Sequence, residues 1–141
     1  MSIKEIQEEI IDEFSLFEDW MQRYEHLIEL GRDIPLIDKI YKTDDNTIKG
    51  CQSKVWLHAD IVDDKVIFTA DSDAIITKGI IALLLRVFSH HTPDEIIAAD
   101  TQFIDRIGLK EHLSPTRANG LVAMIKQLKI YAFAFKAKAK G

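Results

Sequence analysis

The stretch VWLHADIVDDKVIFTADSDAIITKGIIALLLRVFS, residues 55–89, contains the patterns that decide the fold. Apolar and polar residues alternate over residues 55–61 and 65–70, and Asp63-Asp64 between them is typical of a turn, so an antiparallel β-hairpin is predicted. Because side chains alternate across a strand, the apolar residues fall on one face of this hairpin. A sheet this small is not stable alone, so we expect helices to cover its apolar face.

A helix is predicted directly after the hairpin, from about residue 74 to residue 89. We expect Asp71-Ser72-Asp73 to cap its N-terminus, because short polar side chains accept hydrogen bonds from the first helical N–H groups. The helix is apolar most of the way round, which is typical of a helix at the centre of a protein. Gly79 inside it, and Gly120 inside the last predicted helix, indicate close packing of another backbone.

Capping patterns and apolar residues at helical spacing predict further helices on both sides of residues 55–89. They begin near Ser2, Ser15, Thr92 and Ser114. The second of these helices should end at about residue 30, with Gly31 directly after it in a left-handed conformation. Residues 47–49 are a candidate short strand. The whole pattern predicts an α+β fold, in which a small antiparallel sheet of about three strands packs against several helices in a single domain over residues 1–141.

Composition and charge argue against several classes of protein. Of the 141 residues, 47% are hydrophobic and 29% are charged, as in globular proteins rather than disordered segments. The formal net charge of −5 argues against nucleic-acid binding, which usually needs a net basic face. The longest wholly apolar run is residues 79–85, far short of the roughly 20 residues that cross a bilayer. No apolar signal region follows the N-terminus, so we expect a cytoplasmic protein without a membrane span.

Cys51 is the only cysteine in the chain. A single cysteine cannot form an intramolecular disulfide. It also cannot supply, within one chain, the ligands of an all-cysteine zinc site or of the usual iron–sulfur cluster. A buried apolar cysteine, a catalytic nucleophile and a group carrier remain. Gly50-Cys51-Gln52-Ser53 is a break between predicted strands, where the backbone can move and a partner can approach. Gln52 and Ser53 are able to donate hydrogen bonds that favour a thiolate or a persulfide sulfur.

Other candidate groups give weaker signals. The five histidines lack the spacing of a metal-binding motif, and no glycine-rich nucleotide-binding motif is present. Asp71 and Asp73 are a candidate carboxylate pair, although helix capping explains them sufficiently. A Cys-His-Asp triad stays open, because its members need not be neighbours in sequence.

Three blocks of sequence resemble the SufE/CsdE family of sulfur-acceptor proteins. The most specific block is IKGCQSKVWL at residues 48–57, and DSDA at residues 71–74 and LSPTRANGL at residues 113–121 follow it in the family's order and spacing. The resemblance covers nearly the whole chain. The family often has glutamine where Lys54 stands here, a departure that does not affect the cysteine.

The resemblance implies a fold similar to that of iron–sulfur scaffold proteins of the IscU-like/SufE type. It also implies that Cys51 takes persulfide sulfur from a pyridoxal-phosphate-dependent cysteine desulfurase of the SufS/CsdA type. The protein would stimulate that enzyme and deliver the sulfur to a scaffold complex for iron–sulfur cluster assembly. It would be a sulfur-transfer accessory protein rather than a stand-alone enzyme, with no cofactor and no metal of its own, and a homodimer is left open.

The residues themselves suggest further hypotheses about the surroundings of Cys51. Gly50, Gln52 and Ser53 would support the loop that carries the cysteine, and Gly50 would act as its hinge. Asp73 and Arg117 would contact the desulfurase or anchor this loop.

Three other functions stay open at this point. An iron–sulfur scaffold would share the fold, but it needs about three or four ligands per cluster, so clusters would have to bridge chains. A cysteine-dependent hydrolase would turn over a small substrate without a partner protein. An adaptor would keep Cys51 passive, and Cys51→Ser would then change nothing.

Overall fold

A computed structural model describes residues 1–140, and this range contains two strands and seven α-helices. The strands are β1 (Val55–Val62) and β2 (Lys65–Ser72). The helices, in chain order, are α1 (Ile3–Ser15), α2 (Trp20–Arg32), α3 (Ile75–Phe88), α4 (Pro93–Ala98), α5 (Gln102–Arg106), α6 (Leu109–His112) and α7 (Pro115–Lys140). The prediction of an α+β fold is confirmed.

β1 and β2 form the predicted hairpin and pair antiparallel over all eight residues of each strand. Asp63 and Asp64 have positive φ angles of 52° and 65°, as in the type I′ turn whose twist matches that of the strands. The buried side chains of the inner face are Val55, Leu57, Ala59, Val66, Phe68 and Ala70. Among the described residues the sheet has two strands rather than about three, because Thr47 forms only one isolated bridge, to Trp56.

α3 is the central helix, and ten of its 14 residues are buried. It packs against β2 and against α2. A Cβ at Gly79 would overlap the Leu27 carbonyl group, which confirms the predicted close packing. Gly31 lies opposite, and a Cβ there would come within 3.0 Å of the Gly79 nitrogen. The left-handed end expected at Gly31 is therefore wrong, because α2 continues through Arg32 and uses Gly31 as contact surface.

One predicted helix start is displaced and one predicted helix cap is wrong. Ser15 is the last residue of α1, and α2 begins after Asp19, whose side chain caps it. Asp71 and Ser72 belong to β2, because strand pairing continues to the end of the hairpin. α3 begins only after Ala74, so the polar residues that precede it are used for other contacts.

α7 begins at Pro115, directly after Ser114, as predicted. Its buried apolar side chains are Leu121, Met124, Leu128 and Ala132. The Tyr131 hydroxyl donates a hydrogen bond to the Leu57 carbonyl oxygen at 3.4 Å, which ties the helix to β1. No helix within residues 1–140 combines the length and the hydrophobicity that crossing a bilayer requires.

Candidate functional site

Residues 49–53, called here the cysteine loop, place Cys51 against the N-terminal part of α7. The Cys51 thiol donates a hydrogen bond to the Gly120 carbonyl oxygen, with the sulfur and oxygen 3.6 Å apart. A Cβ at Gly120 would lie only 3.5 Å from the sulfur, so the thiol packs directly on the helix backbone. Cys51 is half-buried in this position. The helix therefore shelters the thiol without enclosing it in the core.

The cysteine loop is held by few interactions. Its backbone N–H and carbonyl groups make no hydrogen bond to any group within residues 1–140. Gly50 has a φ of 94°, in the left-handed region that favours glycine. A Cβ at this position would also come within 3.3 Å of the Ala123 Cβ. A segment with so few backbone hydrogen bonds is typical of those that open locally while the rest of the protein stays folded.

Hydrogen bonds close the cysteine loop at both ends. On one side, the Ile48 N–H donates to the Val55 carbonyl oxygen at 2.8 Å. On the other side, the Lys54 N–H donates to Asp73 Oδ1 at 3.0 Å, and the Ser72 hydroxyl donates to the Lys54 carbonyl oxygen at 2.8 Å. We call these contacts the loop clamp. Asp73 therefore fastens the end of the loop instead of capping α3.

Asp71 lies next to the clamp and forms ion pairs with Lys42 at 2.7 Å and Lys78 at 3.3 Å. Burial opposes ionisation, but hydrogen bonds from Lys42, the Ser72 N–H and Lys78 outweigh it and hold the pKa of Asp71 below its usual value. A carboxylate that stays ionised and paired is a poor general acid or base. Within residues 1–140, no group of three or more His, Cys, Asp or Glu side chains is arranged to hold a metal ion.

A cavity of about 300 Å³ opens beside the Cys51 thiol. Four of the six predicted site residues line it: Cys51, Gln52, Ser53 and Arg117. Arg117 is exposed in the first turn of α7, and its guanidinium forms no ion pair within residues 1–140. The cysteine loop and α7 therefore bring four of the predicted site residues to one place, whereas Gly50 and Asp73 lie outside the cavity lining.

Sequence reasoning missed the residues that the helices bring to this cavity. Thr77 of α3 and Ser114 and Thr116 at the start of α7 contribute hydroxyl groups to its lining. Gly120 contacts Cys51, which lies 69 positions earlier in the chain. This is the residue that the sequence predicts to pack closely against another backbone. The glycine inside a predicted helix was the one signal in the sequence that pointed to this contact.

The Cys51 thiol is not activated in this position. Burial raises the pKa of the Cys51 thiol, and none of the cavity-lining residues is a histidine. The thiolate is the nucleophile, so a protonated and sheltered thiol reacts slowly at neutral pH. A cysteine hydrolase needs a base beside its nucleophile, and the described residues that line the cavity include none.

Comparisons with known proteins identify the family to which the chain is similar. The family model for the SufE domain, an Fe-S metabolism associated domain, matches residues 8–132. An uncharacterised SufE-like protein of Rhizobium meliloti (strain 1021) is 41% identical over 127 residues, which cover 86% of this chain and 91% of that protein. An uncharacterised SufE-like protein of Synechocystis sp. is 36% identical over 127 residues, which cover 90% of this chain and 80% of that protein.

The fold is also similar to that of a solved structure. The solution structure of a hypothetical protein from Thermus thermophilus superposes with a TM-score of 0.76, covers 92% of this chain and 94% of its own, and is 21% identical. That likeness concerns the fold alone. The SufE domain match indicates a role in iron–sulfur metabolism and sulfur transfer. Because this domain spans residues 8–132 and the relatives are similar over most of their length, the chain belongs to the SufE family.

Proposed function

We propose that Cys51 accepts sulfur from a pyridoxal-phosphate-dependent cysteine desulfurase of the SufS/CsdA type and delivers it to an iron–sulfur scaffold complex. The observation that carries this proposal is the position of Cys51. It is the only cysteine, it lies at a cavity, and its loop has no backbone hydrogen bonds of its own within the described residues. These properties suit a carrier group that must reach a partner.

The transfer is a thiol exchange. The Cys51 thiolate attacks the terminal sulfur of the desulfurase persulfide, and a new sulfur–sulfur bond forms on Cys51. The sulfur–sulfur bond of the donor breaks, and the desulfurase cysteine leaves as a thiolate. The transferred sulfur keeps its hydrogen, so no oxidant or reductant is consumed. Removal of the persulfide frees the desulfurase for another turnover, which is why we expect stimulation of that enzyme.

Sheltering and release of the cysteine loop follow from the chemistry of the product. An exposed persulfide is readily reduced or oxidised further. The contact of Cys51 with the Gly120 carbonyl would protect it between transfers, and docking on a partner would release it. Gly50, with its left-handed φ, would be the hinge of this movement. Gln52 and Ser53 would stabilise the sulfur through hydrogen bonds.

Asp73 and Arg117 have different proposed roles. Asp73 would anchor the loop through its hydrogen bond from the Lys54 N–H. Arg117 would contact the incoming sulfur donor, because its guanidinium is exposed at the edge of the cavity. We also propose that the chain is a single domain, because its buried apolar residues form one cluster from Ile3 to Ala132. We propose the cytoplasm as the place where it acts. A homodimer remains open to measurement.

The test is the intact mass of the protein after incubation with a cysteine desulfurase and free cysteine. The proposal expects a gain of one sulfur, about 32 Da, which a reductant reverses and which Cys51→Ser abolishes while its circular dichroism stays that of the wild type. Omission of free cysteine is the control for sulfur that does not come from the desulfurase reaction. No gain with several desulfurases, while Cys51 still reacts with iodoacetamide, would reject sulfur acceptance and favour a passive cysteine.

A further inference from the structure

The cavity beside Cys51 carries polar groups that sheltering a thiol does not require. Thr77 lines it, is only 6% exposed, and its hydroxyl forms no hydrogen bond within residues 1–140. The Thr77 hydroxyl is nevertheless accessible from the cavity, because His58 Nε2 is the only buried side-chain nitrogen or oxygen without a partner in the described part of the chain. At the cavity wall this hydroxyl is therefore available to hydrogen-bond a polar ligand.

The charge of the cavity indicates the sign of that ligand. Arg117 is the only charged side chain among its lining residues, and no carboxylate is included. Because its guanidinium has no ion-pair partner within residues 1–140, it is available to a bound anion. The planar guanidinium matches a carboxylate particularly well, since two parallel hydrogen bonds can form. The Ser53 and Thr116 hydroxyls add further donors around the same space.

The volume of the cavity and the Cys51 sulfur in its wall further restrict which ligands can bind. A volume of about 300 Å³ lies at the lower end of ligand pockets, which span roughly 300 to 1,000 Å³, so the ligand is of amino-acid size. Cys51 lines the same cavity, so a ligand held there by Arg117 would have its reactive end near the thiol.

From these features we infer that the cavity binds a small carboxylate-bearing hydropersulfide and that Cys51 takes its terminal sulfur. This inference rests on the proposed function of Cys51 as a sulfur acceptor and adds a loading route that needs no protein donor. Arg117 binds the carboxylate, and Thr77 contributes a hydrogen bond inside the cavity.

The step balances without a further reactant. Cys51 first loses its thiol proton to solvent, and its thiolate attacks the terminal sulfur of the donor R–S–SH. The Cys51–sulfur bond forms as the sulfur–sulfur bond of the donor breaks, and R–S⁻ leaves. The terminal sulfur keeps its hydrogen and its oxidation level. The products are the Cys51 persulfide and a small carboxylate-bearing thiolate.

Two donors of similar size separate the contribution of the carboxylate. The hydropersulfides of 3-mercaptopropionate and of 2-mercaptoethanol differ mainly in that the first carries a carboxylate and the second a neutral hydroxyl. We measure the rate of the mass gain of about 32 Da on the intact wild-type protein with each donor. The carboxylate donor should load Cys51 about tenfold faster, the size expected of one charge-assisted interaction.

Three variants identify the groups responsible. Arg117→Gln should reduce the preference for the carboxylate donor to about one, because the guanidinium is lost. Thr77→Val, which keeps the shape and removes the hydroxyl, should slow loading by both small donors. Lys49→Gln makes the same change of charge on the cysteine loop but outside the cavity lining, and it should keep the preference.

Equal rates for the two donors in the wild type, or a preference that survives Arg117→Gln, would overturn the inference. So would a result in which Arg117→Gln impairs only loading by the desulfurase, because the cavity would then serve a segment of that protein. In each of these cases loading by the desulfurase still tests the proposed function separately. Only a failure of Cys51 to accept sulfur from any donor would reject both.

Discussion

The cysteine loop and the β-hairpin that follows it are adjacent in sequence but are held in opposite ways. The hairpin pairs two strands of eight residues each and buries most of one face against helices. The cysteine loop makes no backbone hydrogen bond within the described residues and is fixed only by the loop clamp and by the contact of Cys51 with Gly120. The hairpin therefore provides stability, and the neighbouring cysteine loop provides reactivity. The loop can change conformation while the hairpin stays folded.

The hairpin should be most sensitive at Phe68, which is fully buried on its inner face. Phe68→Ala should lower the free energy of unfolding by about 3–5 kcal/mol, because apolar burial is lost and a cavity is left. Urea unfolding followed by circular dichroism measures this change. Phe133→Ala is the matched control, since Phe133 is 56% exposed and should change stability by less than about 1 kcal/mol. Similar losses in the two variants would contradict the assignment of stability to the hairpin.

The cysteine loop should respond differently at Gly50. Gly50→Ala places a side chain at a φ of 94°, which costs about 1–2 kcal/mol in the sheltered conformation. The open conformation gains population, so alkylation of Cys51 by iodoacetamide should accelerate about 5- to 30-fold, and the rate of sulfur acceptance should change with it. Lys49→Ala, one residue earlier, should leave the alkylation rate close to that of the wild type. Wild-type alkylation and sulfur acceptance in Gly50→Ala would remove Gly50 as the hinge.

The loop clamp joins the two regions, and Asp73 tests the connection. Asp73→Ala removes the acceptor for the Lys54 N–H and should lower stability by about 1 kcal/mol, because one hydrogen bond is lost. It should also increase the alkylation rate of Cys51, since the end of the loop is no longer fastened. Asp73→Asn keeps an oxygen acceptor and should behave more like the wild type. If alanine and asparagine had equal effects, the hydrogen bond would not be what fastens the loop.

The smallest expected effect is the pH dependence of the thiol. Burial raises the pKa of Cys51 above its ordinary value of 9.0, so its alkylation rate should still be climbing at pH 9. The sign for stability follows from the same shift. Folding favours the protonated thiol, so this contribution to stability is present below the unfolded-state pKa and is lost as the pH rises towards the folded-state pKa. An alkylation rate that levels off below pH 9 would indicate a thiol that is exposed most of the time.

The same contrast explains what the sequence could predict. The hairpin and α7 follow from apolar periodicity, because each buries mainly one face. α3 follows from its nearly continuous apolar sequence, because it is buried most of the way round. The left-handed helix end predicted at Gly31 and the helix cap predicted at Asp73 are wrong, because local capping rules are overridden by contacts with Gly79 and Lys54 in other elements. A short polar side chain can hydrogen-bond either to the backbone groups at a helix end or to those of a neighbouring segment. The tertiary packing determines which of the two it contacts.

The sequence likewise predicts only some of the residues that lie together at the cavity. Cys51 and Arg117 were identified through sequence blocks, and the structure brings both to one cavity. Thr77 carries no local signal of its contact with that cavity, and Gly120 carries only the general signal of a glycine inside a helix, since helix packing brings both to the cavity from distant parts of the chain. The side chains that surround the loop can therefore be identified only from the three-dimensional fold.

The measurement that tests this account most directly is the labelling rate of Cys51 in urea concentrations below the unfolding transition. Local opening exposes little surface, so the rate should be nearly independent of urea. Amide hydrogen exchange at His58 and Thr69, which pair across the hairpin, should instead follow global unfolding, with a dependence of about 1–3 kcal/mol per molar urea. A Cys51 labelling rate with the same urea dependence as these hairpin amides would show that the loop opens only when the protein unfolds, and would contradict a carrier loop that moves on a stable scaffold.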